Sequence, residues 1–471
     1  MGRDSSTRLR AVTAILAISA GLVSYTCLEF MLEALRDDFS MSSDETMVVA
    51  DIASGASLLV VFLVGALADR WGDRRALSTA SVTFCAGALL IGIAPNAGVL
   101  HVGQSLSGIG TIAMSIVGLS ILNKTFPAKE RRARAFGVFA VIAPTVAVVL
   151  PLVASGIVAA ADWRWVTTTW LLLGIATLLL ARRSLDSRSE HTDRAELATP
   201  GLAGTALAGI ALAISFVKIN SRTSSHTLHA VVSASIGVLA LAVLVAAMRR
   251  LARPTLDLRT LRSPGSYPIA MALFVVNGVN LFFFTFAVLQ FRYHQSLLET
   301  AAMLIVPQVT SACGAILGGR LSARHGSTRV ATAALLAAAA FSVGVFVVAA
   351  ESSAWVPVAV LAIAGLPIGA VVGPLTQKFM DLAPAGGAGA ASSLRNSAVN
   401  LGIAIGGLIV GTIVFDDLDR DTARNIGAYR EQAHAFHLAG VFCFVAYALA
   451  AALVMIHSRR RRVGAVSLVA G

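Results

Sequence analysis

The chain has 471 residues, of which 56% are hydrophobic and 13% are charged, whereas about 25% are charged in an ordinary soluble protein. Its mean hydropathy is +0.79 and its formal net charge is +12. A soluble fold of this length could not bury so much apolar surface behind so few charges. The composition therefore excludes a soluble enzyme, a disordered chain and a secreted disulfide scaffold, and it indicates a polytopic membrane protein.

Fourteen apolar segments are each long enough to cross a bilayer as a helix, which takes about 20 residues. The predicted fold class is therefore an all-α membrane protein with fourteen transmembrane helices. In chain order the predicted spans are 11–35, 47–68, 76–94, 98–122, 135–160, 164–181, 201–219, 228–248, 267–291, 298–319, 329–350, 354–377, 388–415 and 435–457.

The basic residues predict the orientation of these spans. If the N-terminus is cytoplasmic, most of the 37 Lys and Arg residues fall on the cytoplasmic side, as the positive-inside rule expects. Both termini are then cytoplasmic, and the positive charge faces anionic lipid rather than nucleic acid. The excess of arginine over lysine suggests a GC-rich bacterial genome, so the predicted location is a bacterial plasma (inner) membrane.

The sequence G-A-L-A-D-R-W-G-D-R-R occupies residues 65–75, at the end of the second predicted span. Gly65 permits close helix approach and Gly72 permits a tight turn. Asp69 can pair with nearby arginines or with a helix N-terminus. The arginines expected to meet anionic lipid and helix C-termini are Arg70, Arg74 and Arg75.

A related string, G-R-L-S-A-R-H-G-S-T-R, runs from Gly319 to Arg329 after the tenth predicted span. It repeats the glycines and an arginine, but it has Ala323 where the first copy has Asp69. Two copies at matching positions predict two related halves, which is how many transporters are built.

With these two motifs the chain resembles the major facilitator superfamily, and more specifically its fourteen-helix drug:proton antiporter branch, over nearly its whole length. The resemblance implies two six-helix bundles, two additional helices between them and a central cavity. The predicted domains are an N-terminal bundle (1–181), a linker with the two additional helices (182–262) and a C-terminal bundle (263–471). Other matching strings are D-W-R-W at 162–165, P-T-L-D-L-R at 254–259, Q-F-R-Y-H-Q-S-L-L-E-T-A at 290–301 and A-G-G-A-G-A-A-S-S-L-R-N-S-A-V-N-L-G at 385–402.

The resemblance also implies that residues 65–75 act as a latch that closes the cytoplasmic side in the outward-open state. The chain departs from the family pattern in the fourth predicted span, 98–122. Gln104 lies there four residues before Gly108-Ile109-Gly110, at the place where the family has an arginine tied to proton coupling. In helix 5 only Pro151 remains of G-P-x-x-G-G, and in helix 13 Arg395 lies one turn before the position where the family often has an arginine.

Three carboxylates in the first two predicted helices are candidates for proton coupling. Glu29 and Glu33 are four residues apart, on one face of helix 1, and two close carboxylates can share a proton. Asp51 enters helix 2 from the outer side. The alternative is that these are wetted residues at the membrane interface.

Polar residues inside the predicted spans are candidates for lining the substrate cavity, because such residues are costly in a membrane and usually face a cavity or a partner. For Arg395 the alternative is that it reaches the membrane surface; for the amides it is hydrogen bonding or packing between helices. The candidates are Gln104, Asn277, Asn280, Gln290, Arg395, Asn396 and Asn400.

These observations predict a secondary active transporter that exports amphipathic or toxic small molecules against proton entry by alternating access. The sequence has no phosphate-binding G-x-x-x-x-G-K-[ST] string and no catalytic motif, so we expect no enzyme activity, cofactor or metal. The expected partners are a small-molecule or lipid substrate, protons and membrane lipids, and the chain is expected to be a monomer. One alternative is a lipid or glycolipid translocator with atypical proton coupling; another is a receptor or assembly partner that transports nothing.

Overall fold

The structure is a computed structural model, and the part of the chain that it describes is helical and contains no strand. Isolated positions at 260, 285, 289, 293, 295 and 437–438 add to the described segments. Those segments are residues 2–28, 31–41, 43–186, 198–220, 227–250, 266–279, 297–347, 352–383, 387–415 and 440–456.

Sixteen helices, numbered here in chain order, account for most of the described residues. The first nine are α1 Gly2–Leu28, α2 Leu32–Asp38, α3 Ser43–Trp71, α4 Asp73–Gly92, α5 Ala97–Thr125, α6 Lys129–Ala160, α7 Arg164–Ser184, α8 Ala198–Asn220 and α9 Thr227–Arg250. The others are α10 Ser266–Gly278, α11 Leu297–Met303, α12 Ile305–His325, α13 Ser327–Ser342, α14 Trp355–Met380, α15 Ala388–Phe415 and α16 Gly440–Ile456.

Nine helical segments of the described chain are long and apolar enough to cross a membrane, and four shorter apolar helices accompany them. The chain is therefore a multi-pass membrane protein. The total of fourteen spans stays a prediction, although each predicted span overlaps a described helix. The first span differs from its predicted bounds, since α1 ends at Leu28 and a separate short helix, α2, begins at Leu32.

The contacts divide the chain into two compact units that do not follow sequence order. Unit 1 contains residues 1–127, 149–260 and 383–397, and unit 2 contains residues 128–148, 261–382 and 398–471. Helices α6 and α15 are therefore each shared between the units. The three predicted sequence domains stay a prediction.

In unit 1, α5 packs against α1, α3 and α4, and two glycines allow backbones to approach closely. A Cβ atom on Gly108 would lie 2.9 Å from the Cα of Ala53 on α3, and one on Gly110 would lie 2.5 Å from the Cα of Phe84 on α4. The Ser57 hydroxyl of α3 donates to the Gly108 carbonyl at 2.8 Å. The string Gly108-Ile109-Gly110 thus serves helix packing on two sides.

The added helices α8 and α9 form an antiparallel pair in unit 1, and α8 packs on α3. The pair is close because Gly209 of α8 faces Gly237 of α9, so that a Cβ on Gly209 would lie 2.6 Å from the Cα of Gly237. Val238 and Leu239 of α9 are 63% and 66% exposed. These apolar side chains face away from the protein, as expected of a surface in contact with lipid.

In unit 2, α12 and α14 are also joined by small residues. A Cβ on Gly318 of α12 would lie 2.8 Å from the Cα of Ala370, and one on Gly365 of α14 would lie 2.8 Å from the carbonyl oxygen of Pro307. A hydrogen bond connects α16 to the end of α10: the buried Tyr447 hydroxyl donates to the Val279 carbonyl oxygen at 2.9 Å.

Both copies of the glycine motif form the same turn. Gly72 separates α3 from α4 with φ 77°, and Gly326 separates α12 from α13 with φ 86°. Positive φ with extended ψ is a conformation that only glycine adopts without strain. The two halves of the chain therefore repeat a helix–glycine–helix unit, in agreement with the repeat seen in the sequence.

We expect Gly326→Ala to lower the free energy of unfolding by about 1–3 kcal/mol, because alanine at this φ is strained although no atom lies within 4 Å of its Cβ. Gly201→Ala in α8 is the matched control: its Cβ also meets open space, and its backbone is helical, so we expect no loss or a small gain. Thermal unfolding of the purified protein in detergent measures both. Equal stability of the two variants would contradict this account of the turn.

Candidate functional site

Asp69 lies in the last turn of α3, within unit 1, and its carboxylate contacts the start of α15. One carboxylate oxygen accepts a hydrogen bond from the Gly389 backbone N–H at 2.8 Å, and the other accepts from the Ala390 N–H at 2.9 Å. The first N–H groups of a helix have no intrahelical acceptor and form the positive end of its dipole. Asp69 therefore satisfies two of these donors and places a negative charge where the helix favours one.

The approach of the two helices is possible because a glycine lies on each side of the contact. A Cβ on Gly65 would lie 2.7 Å from the Gly389 carbonyl oxygen and closer still to the Ser393 hydroxyl. A Cβ on Gly389 would lie 2.6 Å from the Gly65 carbonyl oxygen and 2.8 Å from the Asp69 carboxylate. A larger residue at either position would separate α3 from α15 and break the hydrogen bonds of Asp69.

The other charged residues of segment 65–75 have surroundings that differ from those of Asp69. Asp73, at the start of α4, forms an ion pair with Lys124, in which the Lys124 Nζ lies 3.0 Å from the Asp73 Oδ1. This pair joins the start of α4 to the end of α5. Arg70 and Arg74 are partly buried and Arg75 is exposed. Thus Asp69 and Asp73, which are one turn apart in the sequence, have different partners.

Unit 2 contains a related crossing between α12 and α6. Gly319, which occupies the place of Gly65 in the second motif copy, lies against Gly137: a Cβ on either would lie 2.5–2.6 Å from the Cα of the other. Ala323 occupies the place of Asp69, so this crossing lacks the corresponding carboxylate.

An ion pair that the sequence analysis missed joins α6 to the end of α14 in unit 2. Arg132, in the first turn of α6, contacts Asp381, directly after α14, at 2.8 Å, and each side chain is about one-fifth exposed. Alone, a cation at a helix start and an anion at a helix end are both unfavourable. The pairing of Arg132 with Asp381 offsets both unfavourable interactions with the helix dipoles. The unfavourable placement of the two charges is the sequence signal that could have revealed the pair.

Arg395 lies in α15, seven residues from the helix start, which is about 10 Å along the axis. Its guanidinium donates to the side-chain oxygen of Asn396 at 3.1 Å, and the Asn396 amide donates to the Ser392 carbonyl at 2.9 Å. Arg395 is 8% exposed and Asn396 is 4% exposed. The guanidinium is enclosed by protein, which argues against its reaching the membrane surface.

Gln104 lies on α5 in unit 1 and is fully buried. Within the described part of the chain, neither its amide oxygen nor its amide nitrogen has a hydrogen-bond partner. An unsatisfied buried amide costs about 1–3 kcal/mol and is unusual in a folded protein. Gln104 therefore keeps its place as a candidate for binding a polar group.

The other candidate residues are described one by one. The Asn277 amide donates to the Leu273 carbonyl of its own helix at 2.7 Å, and the Asn400 amide nitrogen is buried without a partner among the described residues. Glu29, Asn280 and Gln290 lie outside the described residues. Glu33 and Asp51 lie in α2 and α3, but their side chains are outside the described part.

We expect the Arg132–Asp381 pair to show a coupling energy of about 1 kcal/mol in a double-mutant cycle of Arg132→Gln and Asp381→Asn, since the pair is only partly exposed. Thermal unfolding of the full chain in detergent provides the free energies. The same cycle with the exposed neighbour Arg131→Gln is the control and should give a value near zero. A coupling as large for Arg131 as for Arg132 would contradict a specific pair.

Two curated relatives cover most of this chain. It is 27% identical over 423 residues to the methylenomycin A resistance protein of Streptomyces coelicolor, covering 86% of this chain and 86% of that protein. It is 26% identical over 391 residues to the multidrug resistance protein Stp of Mycobacterium tuberculosis, covering 81% of this chain and 71% of that protein.

A solved structure shows the same fold. The human organic anion transporter MFSD10 (TETRAN) matches with a TM-score of 0.66 at 14% sequence identity, covering 94% of this chain and 99% of that one. A family model described as the Major Facilitator Superfamily matches residues 13–407. The repeated helix–glycine–helix unit, the crossing of α3 with α15 and these matches agree: the chain belongs to the major facilitator superfamily.

Proposed function

We propose that this protein is a secondary active transporter that exports amphipathic or toxic small molecules in exchange for protons, by alternating access. The observation that carries the proposal is the Asp69 carboxylate on the first N–H groups of α15, in a chain whose relatives are named for methylenomycin A resistance and multidrug resistance. These names favour export over lipid translocation. The working location is a bacterial plasma membrane, with both termini cytoplasmic and a monomeric chain.

The Asp69 contact acts as a latch that forms in one state of the transport cycle and breaks in the other. The hydrogen bonds of Asp69 are charge-assisted, and the helix dipole adds to them. We therefore assign the contact a stabilising free energy of about 2 kcal/mol. That energy changes the ratio of latched to unlatched molecules about 30-fold, enough to bias a cycle without locking it. Gly65 and Gly389 keep the helices close enough for the latch to form.

Arg395, Asn396 and Gln104 supply the polar groups that bind substrate. Arg395 provides an enclosed cation that can bind an anionic or electron-rich group of the drug. Gln104 provides an amide donor and acceptor with no partner in the described chain. The same position in the family usually has an arginine tied to proton coupling, so Gln104 replaces a charge by a neutral group of similar reach.

Proton coupling is assigned to the carboxylates in the first two predicted spans, Glu29, Glu33 and Asp51. A carboxylate in a membrane binds a proton more readily than it does in water, because burial disfavours its charged form. Protonation from the outer side would then accompany release of substrate. Glu29 is the principal candidate because it is deeper in the predicted span than Glu33.

We expect Asp69→Asn to reduce drug export at least several-fold, because asparagine keeps the size of the side chain but loses the charge that the helix terminus favours. Asp73→Asn is the matched control, since Asp73 pairs with Lys124 and does not contact α15. Drug accumulation in cells expressing equal amounts of each variant measures export. Full activity of Asp69→Asn, or equal losses in both variants, would show that the charge on α15 is not part of the cycle.

We expect Glu29→Gln to abolish substrate-dependent proton movement, because glutamine cannot exchange a proton. Glu33→Gln should retain part of it, since Glu33 only tunes its neighbour. Reconstituted vesicles with an internal pH-sensitive dye, given methylenomycin A as a candidate drug, provide the measurement. Proton movement that responds neither to the drug nor to Glu29→Gln would refute the coupling scheme while leaving the Asp69 latch to its own test.

A further inference from the structure

A cavity of about 510 Å³ lies in unit 1 between the start of α4 and the end of α7. It is open at the surface, and its volume falls within the range of small-ligand sites. The residues that line it are Trp71, Arg74, Arg75, Ser78, Thr79 and Arg182. Three arginines, two hydroxyls and an indole thus share one pocket, and its described lining contains no carboxylate.

The described carboxylates closest in sequence to the pocket residues are engaged elsewhere, so the pocket arginines are not neutralised by these groups. Asp69 binds the start of α15, Asp73 pairs with Lys124 and Asp186 pairs with Arg10. By contrast, Arg74, Arg75 and Arg182 form no ion pair within the described part of the chain. Such a cluster attracts an anion with several oxygen acceptors, of which phosphate is the commonest that arginine binds.

The hydroxyls are placed to complete the anion site. Ser78 and Thr79 lie one turn after Arg74 and Arg75 on α4, so the two pairs form adjacent stripes on one helix face. No hydrogen bond among the described residues uses either hydroxyl. Both hydroxyls are thus available to donate to a bound oxygen.

Apolar surface continues from the pocket along both helices. Val82, one turn further along α4, is 51% exposed, and Leu179, one turn before Arg182 on α7, is also 51% exposed. Trp71 is 42% exposed at the pocket itself, and tryptophan is enriched where a membrane meets water. A polar headgroup in the pocket would therefore have its acyl chains against Val82 and Leu179, which a free phosphate ion would not use.

We propose that this pocket is a binding site for the phosphate of an anionic phospholipid headgroup, separate from the drug-binding residues. Basic pockets between transmembrane helices on the cytoplasmic side are a recurring form of lipid recognition, and residues 65–75 are predicted to lie on that side. A bound lipid would contact the same turn that follows Asp69, because the turn contains Trp71, Arg74 and Arg75, which lie two to six residues after it. The lipid would thus bias the latch through the position of this turn.

The test uses the full-length protein purified in detergent and titrated with phosphatidylglycerol or phosphatidylcholine, with binding followed by native mass spectrometry and by thermal unfolding. We expect phosphatidylglycerol to bind and raise the unfolding temperature, and phosphatidylcholine to do neither. Arg182→Gln should weaken the apparent affinity about fivefold, the effect of one basic residue near anionic lipid. Arg183→Gln is the matched control, because Arg183 is the exposed neighbour on α7 and does not line the pocket.

A third titration with inorganic phosphate separates the two sources of this anion. If phosphate alone reproduces the effect of phosphatidylglycerol, with the same dependence on Arg182, the lipid assignment is overturned. Equal responses to the two lipids, or equal losses in Arg182→Gln and Arg183→Gln, overturn the pocket as well. Because Arg182 is exposed, we expect Arg182→Lys to fold. Its charge should retain most of the affinity for the lipid. A loss of affinity as large as that of Arg182→Gln would instead indicate bidentate phosphate binding by the guanidinium, which also supports the site.

Discussion

The crossing of α3 with the start of α15 depends on how closely two helix backbones can approach. Gly65 and Gly389 leave no room for a side chain, and only at this separation can the Asp69 carboxylate reach two backbone N–H groups at once. The helix terminus supplies both the donors and the partial charge, so the contact needs no basic side chain on α15. The glycines and the aspartate therefore act as one device, in which close packing positions the charge.

The two units contain this kind of crossing with different chemistry. In unit 2, Gly319 and Gly137 repeat the close backbone approach, but Ala323 removes the carboxylate at the corresponding place. The Arg132–Asp381 ion pair lies in the same unit and joins two further helix ends. The repeat has thus kept the geometry of the glycines while changing the chemistry that secures them, which allows the two crossings to differ in strength.

Composition and motif spacing were enough to predict the membrane class, the family and the repeated turn. They succeed because lipid requires long apolar helices and because a positive φ requires glycine at 72 and 326. The pairing of Arg132 with Asp381 was not predicted, since contacts between residues 249 positions apart depend on tertiary packing. Trp163 shows the same limit: its D-W-R-W string is visible in the sequence, but only the structure shows the indole buried and donating to Asp38. The candidate coupling carboxylates remain sequence predictions.

The choice of partner has an evolutionary consequence. Asp69 binds backbone N–H groups, so its contact needs glycine at 65 and 389 but no particular partner side chain on α15. Arg132 and Asp381 each need the other's side chain, so a change at one removes the benefit of keeping the other. Across homologues, positions 132 and 381 should therefore covary, whereas Asp69 should be retained together with glycine at 65 and 389.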